Sequence, residues 1–192
     1  MTATRVGSLH VGLDIDGVLA DYMSAIADVG RAHGHSMTGA GHGPTQYGLV
    51  EPGWFPDEKS AHAAMAELRN KLGKLDLLDH GAPEAVRRLR AAGHRVDIVT
   101  ARHSRARRCT AQWLDRHGFE YEQLRFETAK HVVGCDIYID DAAHNVMELR
   151  EAGHVAVIYD APYNRHVGGL RVTTMEEFVD LILHGQLSGR AS

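Results

Sequence analysis

The hydrophobic and polar positions in the second half of the chain follow one repeated scheme. A stretch with apolar residues at helical spacing ends at a glycine, and a short β-branched run then follows. In residues 83–92, for example, Val86 and Leu89 fall on one helical face, and Gly93 follows the stretch. Strands that alternate with helices predict an α/β fold, in which helices cover both faces of a doubly wound, Rossmann-like parallel sheet.

The same pattern places the individual elements. It predicts strands at residues 9–15, 95–100, 121–126, 136–140 and 155–159. It predicts helices at residues 22–32, 57–72, 83–92, 104–117 and 142–152, with Ser104 as the N-cap of the fourth helix. The carboxyl ends of parallel strands share one edge of the sheet, and ligands of open α/β sheets bind at that edge.

The separation of the first two strands indicates an insertion. Roughly 80 residues lie between Asp16 and Thr100, whereas a plain β-α-β unit needs roughly 30. We therefore predict a small, mainly helical cap at residues 22–78, inserted after strand one of a core formed by residues 1–21 and 79–185. Within the cap, residues 34–56 are rich in Gly, His and Pro and are predicted to form an irregular loop. Residues 186–192 are predicted to be a flexible tail.

Composition narrows the class of protein. With 192 residues, 44% of them hydrophobic, the chain is long enough to bury a stable core without disulfides. Its net charge of -4 counts against nucleic acid as a partner, and no apolar run reaches the roughly 20 residues of a membrane span. Cys109 and Cys135 form no disulfide framework, so we expect a cytoplasmic protein. The oligomeric state stays open, a homodimer included.

Two carboxylates end the first predicted strand. Asp14 and Asp16 are two positions apart, so their side chains point toward the same side of the strand. Carboxylates this close repel each other unless a cation or a shared proton compensates. Gly17 follows them, and a turn of the Asx type is the alternative interpretation of the motif.

A second acidic pair, Asp140 and Asp141, follows the apolar run at the end of the fourth predicted strand. Taken alone, Asp141 is also typical of a helix N-cap. Together with Asp14 and Asp16, the pair forms an oxygen-rich group suited to Mg²⁺, which prefers carboxylate and water ligands.

Thr100 ends the second predicted strand, and Lys130 lies ten residues before Asp140. Each has an ordinary explanation, as a β-branched strand residue and as a solvated surface lysine. A carboxylate nucleophile, a hydroxyl, a lysine and further carboxylates are, however, the parts that hold and transfer a phosphoryl group. The combination therefore favours phosphoryl chemistry.

These motifs resemble a known superfamily. The segments are residues 14–21 (DIDGVLAD), Ile98-Val-Thr-Ala-Arg102, Lys130 and residues 136–141 (DIYIDD). In this order they are similar to the haloacid dehalogenase superfamily of aspartyl-phosphate-forming hydrolases. Within it, residues 12–21, Gln46-Tyr-Gly48 and residues 159–164 (YDAPYN) resemble the 5'(3')-deoxyribonucleotidase group.

The resemblance implies a role for each matching residue. Asp14 would attack phosphorus, and Asp16 would protonate the leaving alcohol and then deprotonate the hydrolytic water. Thr100 and the N–H of Ala101 would donate to phosphate oxygens, and Lys130 would neutralise the charge that grows in the transition state.

The resemblance also implies Mg²⁺ as the cofactor and a phosphate ester as the substrate. The ion would be held by Asp14, the backbone carbonyl of Asp16, and Asp140, with Asp141 as a further metal contact or as support. The expected activity is that of a phosphomonoester hydrolase, most similar to a 5'-nucleotidase acting on deoxynucleoside or ribonucleoside monophosphates. Three alternatives stay open, namely a phosphatase of sugar phosphates or similar small esters, a polynucleotide end phosphatase, and a non-catalytic receiver-like phosphoacceptor.

Several further residues are assigned only by their place in the chain. Arg102 is expected to bind the substrate anion. Trp54 and Phe55 in the cap loop are expected either to stack on a base or to anchor the cap. Asn145 either orients the acidic pair or lies on a helix surface. A solvated basic face is expected for Arg105, Arg107 and Arg108, and no metal site for His33, His35 and His42, whose spacing is irregular.

Overall fold

The computed structural model of the protein describes residues 7–37 and 43–188. Its centre is a six-stranded sheet in the order β3-β2-β1-β4-β5-β6. The strands are β1 (His10–Leu13), β2 (Arg95–Thr100), β3 (Gln123–Phe126), β4 (Ile137–Asp140), β5 (Val155–Tyr159) and β6 (Arg171–Val172). All pairs are parallel. The order reverses between β1 and β4, and doubly wound sheets form their ligand crevice at such a reversal.

Helices cover both faces of this sheet, as the pattern predicts. They are α1 (Tyr22–Ala32), α2 (Glu58–Arg69), α3 (Ala82–Ala91), α4 (Arg107–Arg116), α5 (Ala143–Glu151) and α6 (Met175–Leu183). Side chains at the N-termini stabilise α1 and α2, since Asp21 accepts from Ser24 N at 3.1 Å and Asp57 accepts from Ser60 N at 2.7 Å. Every residue of β4 is buried, as expected for a strand packed on both faces.

Between β1 and α3 the chain makes its long insertion. The described part of residues 22–78 contains α1, α2 and the 3-10 turn Leu72–Lys74, and no named strand. Ile26 and Leu68 of this segment are buried in the same hydrophobic cluster as Leu13 and Ile98 of the sheet. The insertion is therefore packed directly on the core, and its assignment as a separate cap stays a prediction.

Some local predictions are wrong. Ser104 is not the N-cap of α4, because a 3-10 turn at Ser104–Ala106 precedes the helix and the His103 side chain accepts from Arg105 N there. The predicted tail begins too early, since Gln186–Ser188 forms a 3-10 turn and Leu187 packs against the core. Residues 189–192 and the loop at 38–42, with His42, lie outside the described residues.

No helix in the described part of the chain combines the length and the apolar character needed to cross a membrane.

Candidate active site

The predicted acidic residues meet where the strand order reverses. Asp14 directly follows β1, and its backbone N–H donates to Ile139 O of β4 at 3.2 Å. Asp140 is the last residue of β4, and Asp141 follows it. Gly17, at φ 86°, turns the chain away from the sheet, a conformation that glycine adopts without strain. Parallel pairing of the two strands thus brings together side chains that are far apart in sequence.

Three buried carboxylates form a compact cluster at this point. One oxygen each from Asp14, Asp140 and Asp141 lies within 4.8 Å of the other two. The Lys130 ammonium is 2.8 Å from Asp14 Oδ1 and 2.5 Å from Asp140 Oδ2, and it is itself buried. One ammonium therefore faces three carboxylates. When all three are ionised, the cluster has a net negative charge that a bound cation would compensate.

Burial governs how this cluster binds protons. It raises the pKa of Asp14 to about 7, with Lys130 opposing the change and Asp140 adding to it. Burial also raises the pKa of Asp141 well above its usual value, and the charges of Asp140 and Asp14 add to the effect. For Lys130, burial alone would lower the pKa, but the two neighbouring carboxylates outweigh it and raise the pKa. A bound cation would relieve the repulsion that keeps protons on the carboxylates.

The Asp140 carboxylate is oriented by the start of α5. Its Oδ1 accepts from Ala142 N at 2.9 Å, and Asn145 Nδ2 donates to both oxygens at 3.1 and 3.2 Å. The hypothesis that Asn145 orients the acidic pair is therefore confirmed for Asp140. The interpretation of Asp141 as a helix cap is wrong, because α5 follows Ala142 and has no capping side chain.

Asp141 is instead held by residues that sequence reasoning did not assign to the site. The Tyr163 hydroxyl donates to its Oδ2, and Asn164 Nδ2 donates to its backbone oxygen at 2.8 Å. Both residues follow β5, the strand next to β4, so they reach the same edge of the sheet. The sequence feature that could have identified them is their position, because they follow the carboxyl end of the strand next to the acidic pair.

Asp16 lies apart from the three-carboxylate cluster. Its two oxygens accept from Arg102, at 2.8 Å from Nε and 2.5 Å from Nη2, and Arg102 Nη1 also donates to Thr110 at 3.2 Å. The expected contact of Asp16 with a metal is through its backbone carbonyl and does not need these two side-chain oxygens. Arg102, expected to bind the substrate anion, has its guanidinium paired with Asp16 instead.

Thr100 and Ala101 follow the same edge at the end of β2. The Thr100 hydroxyl accepts from Arg102 N at 3.2 Å, and both residues line the cavity that opens above Asp14. Thr100 itself is buried, whereas Ala101 is exposed. A ligand in the cavity above Asp14 would thus lie beside this turn on the side of β2.

The cavity has a volume of about 1180 Å³, somewhat above the roughly 300–1,000 Å³ of typical small-molecule sites. The sheet edge forms its floor with Asp14 and Asp16, and the insertion supplies walls that sequence reasoning did not identify. Those insertion residues include Tyr47, Glu51 and Arg69. The Tyr47 ring packs edge-on against the rings of His144 and Tyr163, with centroids 5.2 and 5.9 Å away.

Trp54 and Phe55 are not in this cavity. They are only 4% and 2% exposed and belong to the main hydrophobic cluster. The Phe55 ring packs edge-on against His35, 5.1 Å between centroids. Of the two alternatives for these rings, burial supports the one in which they anchor the insertion, because burying two large apolar side chains stabilises it.

All three arginines expected to form a solvated face are exposed, and two of them also line the cavity or contact a neighbouring residue. Arg105 lines the cavity. The Arg107 guanidinium stacks on the Phe126 ring at 4.6 Å and donates to Leu124 O at 3.1 Å. Arg108 is exposed, as expected.

Sequence comparisons match this chain to known proteins over most of its length. The family model described as 5' nucleotidase, deoxy (pyrimidine), cytosolic type C protein (NT5C) matches residues 8–188. A Chlorobaculum tepidum protein provisionally named 5'(3')-deoxyribonucleotidase is 29% identical over 192 residues, covering 94% of this chain and 93% of that protein. A Bordetella bronchiseptica protein with the same provisional name is 34% identical over 170 residues, with coverage of 80% and 84%.

Solved structures share the architecture at much lower identity. A haloacid dehalogenase-like hydrolase from Streptococcus pneumoniae superposes with a TM-score of 0.62 at 14% identity, over 90% of this chain and 97% of that one. A haloacid dehalogenase-like hydrolase from Bacteroides fragilis, also provisionally named, gives a TM-score of 0.61 over 89% and 99%. At this identity the likeness concerns the fold. With the match over residues 8–188, the chain belongs to the 5' nucleotidase, deoxy (pyrimidine), cytosolic type C protein family and has the haloacid dehalogenase-like fold.

Proposed function

We propose that this phosphatase is a Mg²⁺-dependent 5'-nucleotidase that hydrolyses deoxynucleoside or ribonucleoside monophosphates through an aspartyl-phosphate on Asp14. The observation that carries the proposal is the position of Asp14. It is a buried carboxylate beside Lys130 and two further carboxylates, and it opens into a large cavity. Family membership supports the substrate class.

The donor set fits Mg²⁺. Asp14, Asp140 and Asp141 offer hard carboxylate oxygens close together, and Lys130 alone does not balance their charge. We assign the ion to these residues and to the backbone carbonyl of Asp16. When bound, Mg²⁺ would polarise the phosphoryl group and favour the ionised form of the neighbouring carboxylates.

The chain's own groups account for the transfer. An Asp14 oxygen attacks phosphorus, a bond forms between them, and the bond from phosphorus to the ester oxygen breaks. Lys130, fixed by two carboxylates, keeps its positive charge close to the phosphoryl oxygens. The Thr100 hydroxyl and the Ala101 N–H donate to the same oxygens from the end of β2.

Asp16 completes the cycle in this proposal. It gives a proton to the departing ester oxygen, then removes a proton from the water that attacks the aspartyl-phosphate. Its carboxylate lies at the cavity wall, a quarter exposed, and Arg102 holds both of its oxygens. Arg102 therefore fixes the direction of the Asp16 carboxylate at the cavity.

The insertion at residues 22–78 would select the alcohol half of the substrate. Its residues supply cavity walls opposite Asp14, including Tyr47, Glu51 and Arg69. Polar side chains of both signs beside an aromatic ring are suited to a base with hydrogen-bond donors and acceptors. The provisional deoxyribonucleotidase names of the relatives support this substrate class.

Phosphate release tests the proposal. The purified chain with Mg²⁺ is given ribonucleoside and deoxynucleoside 5'- and 3'-monophosphates and sugar phosphates, with Asp14→Asn as the control. We expect release from nucleotides that disappears in Asp14→Asn and in EDTA. Release from sugar phosphates alone would keep the chemistry and contradict the nucleotide assignment. No release from any ester would contradict the proposed function.

A further inference from the structure

Asp141 differs from the other two clustered carboxylates because its recorded partner, among the described residues, carries no charge. Asp14 and Asp140 both contact Lys130, and Asp140 also accepts from Ala142 N and Asn145. Within the described residues, the hydrogen bond recorded for the Asp141 side chain comes from the Tyr163 hydroxyl. A fully buried carboxylate with a single neutral donor is costly, so its orientation depends strongly on that donor.

Packing leaves the Asp141 side chain little choice of position. Gly17 lies against the carboxylate, and a Cβ at residue 17 would overlap its atoms. The buried Tyr163 contacts the same carboxylate through its hydroxyl. Asn164 holds the Asp141 backbone oxygen at 2.8 Å. The carboxylate is thus in contact with both the glycine and the tyrosine hydroxyl.

Tyr163 is itself held firmly. The next residue, Asn164, accepts from Ala161 N at 3.1 Å and from Arg171 Nη1 at 2.6 Å. Tyr47 of the insertion packs edge-on against the Tyr163 ring, at 5.9 Å between centroids. The ring that carries the hydroxyl is therefore already fixed in place. This reduces the entropy lost when the hydroxyl donates its hydrogen bond to Asp141.

We propose that Tyr163 is a positioning residue that keeps the Asp141 carboxylate turned toward Asp14 and Asp140 and thereby sets the cation affinity of the cluster. The assignment rests on the Mg²⁺ site of the proposed function. Outer partners of metal ligands typically contribute about 10- to 100-fold in metal affinity. Without the hydroxyl, Asp141 keeps its carboxyl group and loses the contact that fixes its direction.

The test is calorimetric titration of Mg²⁺ into the full-length chain, with no substrate present. Tyr163→Phe removes the hydroxyl and keeps the buried ring. The matched control is Tyr159→Phe, which removes a buried hydroxyl of β5 without touching Asp141. We expect the Kd for Mg²⁺ to rise about tenfold or more in Tyr163→Phe, and to stay close to that of the wild type in Tyr159→Phe.

The criterion is the ratio of the Kd of folded Tyr163→Phe to that of the wild type and of Tyr159→Phe. A ratio below about three would overturn the assignment, and a larger ratio would support it. If Tyr163→Phe does not fold, the same criterion applies to Tyr163→Leu, which also removes the hydroxyl that contacts Asp141. No Mg²⁺ binding by the wild type would overturn both the proposed cofactor and this assignment. Normal wild-type binding with unchanged variants would overturn the assignment alone.

Discussion

The metal-free protein is expected to lose stability as the pH rises from about 4 to about 7. Burial, with the charge of Asp140 adding to it, raises the pKa of Asp14 to about 7, compared with about 3.9 in an unfolded chain. In this window the folded state keeps a proton on Asp14 that the unfolded chain has released. Because the folded state binds more protons, the free energy of unfolding falls as the pH rises.

The size of the effect follows from the two pKa values. Each pKa unit corresponds to about 1.4 kcal/mol, so the full cost of ionising Asp14 is roughly 4 kcal/mol, of which about 3 kcal/mol falls between pH 5 and pH 8. Asp14→Asn removes this titration. Urea denaturation in EDTA at both pH values should therefore show the wild type losing about 3 kcal/mol more than the variant.

Adding Mg²⁺ at pH 8 provides the second arm of the experiment. A cation that binds the ionised cluster in the folded state raises the free energy of unfolding, so wild-type stability should recover and that of Asp14→Asn should recover less. Parallel pH dependences of the wild type and Asp14→Asn in EDTA would refute the reasoning, since Asp14 would then titrate alike in both states.

Three further variants test other contacts. Lys130→Ala leaves Asp14 and Asp140 without their shared cation, so we expect a loss of about 3–5 kcal/mol in urea denaturation without metal and no detectable phosphate release. Asn145→Ala removes one of the three donors to the Asp140 carboxylate. It should weaken Mg²⁺ binding about tenfold in calorimetry, and unchanged binding would show that Ala142 N and Lys130 suffice. Phe55→Ala should cost about 3–5 kcal/mol of stability with KM within about twofold of the wild type. A large rise in KM without destabilisation would place Phe55 at the substrate.

Much of the site could be predicted because it depends on topology. Asp14 and Asp140 end two apolar runs, and any parallel pairing of those runs brings their carboxyl ends to one edge of the sheet. Lys130 joins them because it carries the compensating charge that two buried carboxylates need. The strand β6, in contrast, has only two residues, too few to show an alternating pattern.

Side-chain partners were harder to predict than positions. The pairing of Arg102 with Asp16 depends on how β2 and its following turn lie beside β1, which spacing does not specify. Trp54 is an aromatic residue in a loop, and the sequence does not tell a core side from a cavity side there. The contact of Tyr163 with Asp141 could not be predicted because the sequence does not show that the segment after β5 returns toward β4.

The proposed aspartyl-phosphate on Asp14 is tested most directly by capturing the phosphoryl group on the enzyme. The wild type and Asp14→Asn are mixed with radiolabelled deoxynucleoside 5'-monophosphate and Mg²⁺, quenched in acid during turnover, and the denatured protein is counted before and after hydroxylamine treatment. We expect label on the wild type that hydroxylamine removes, and none on Asp14→Asn. Rapid phosphate release by a wild type that never carries label, or equal labelling of Asp14→Asn, would contradict the proposed intermediate.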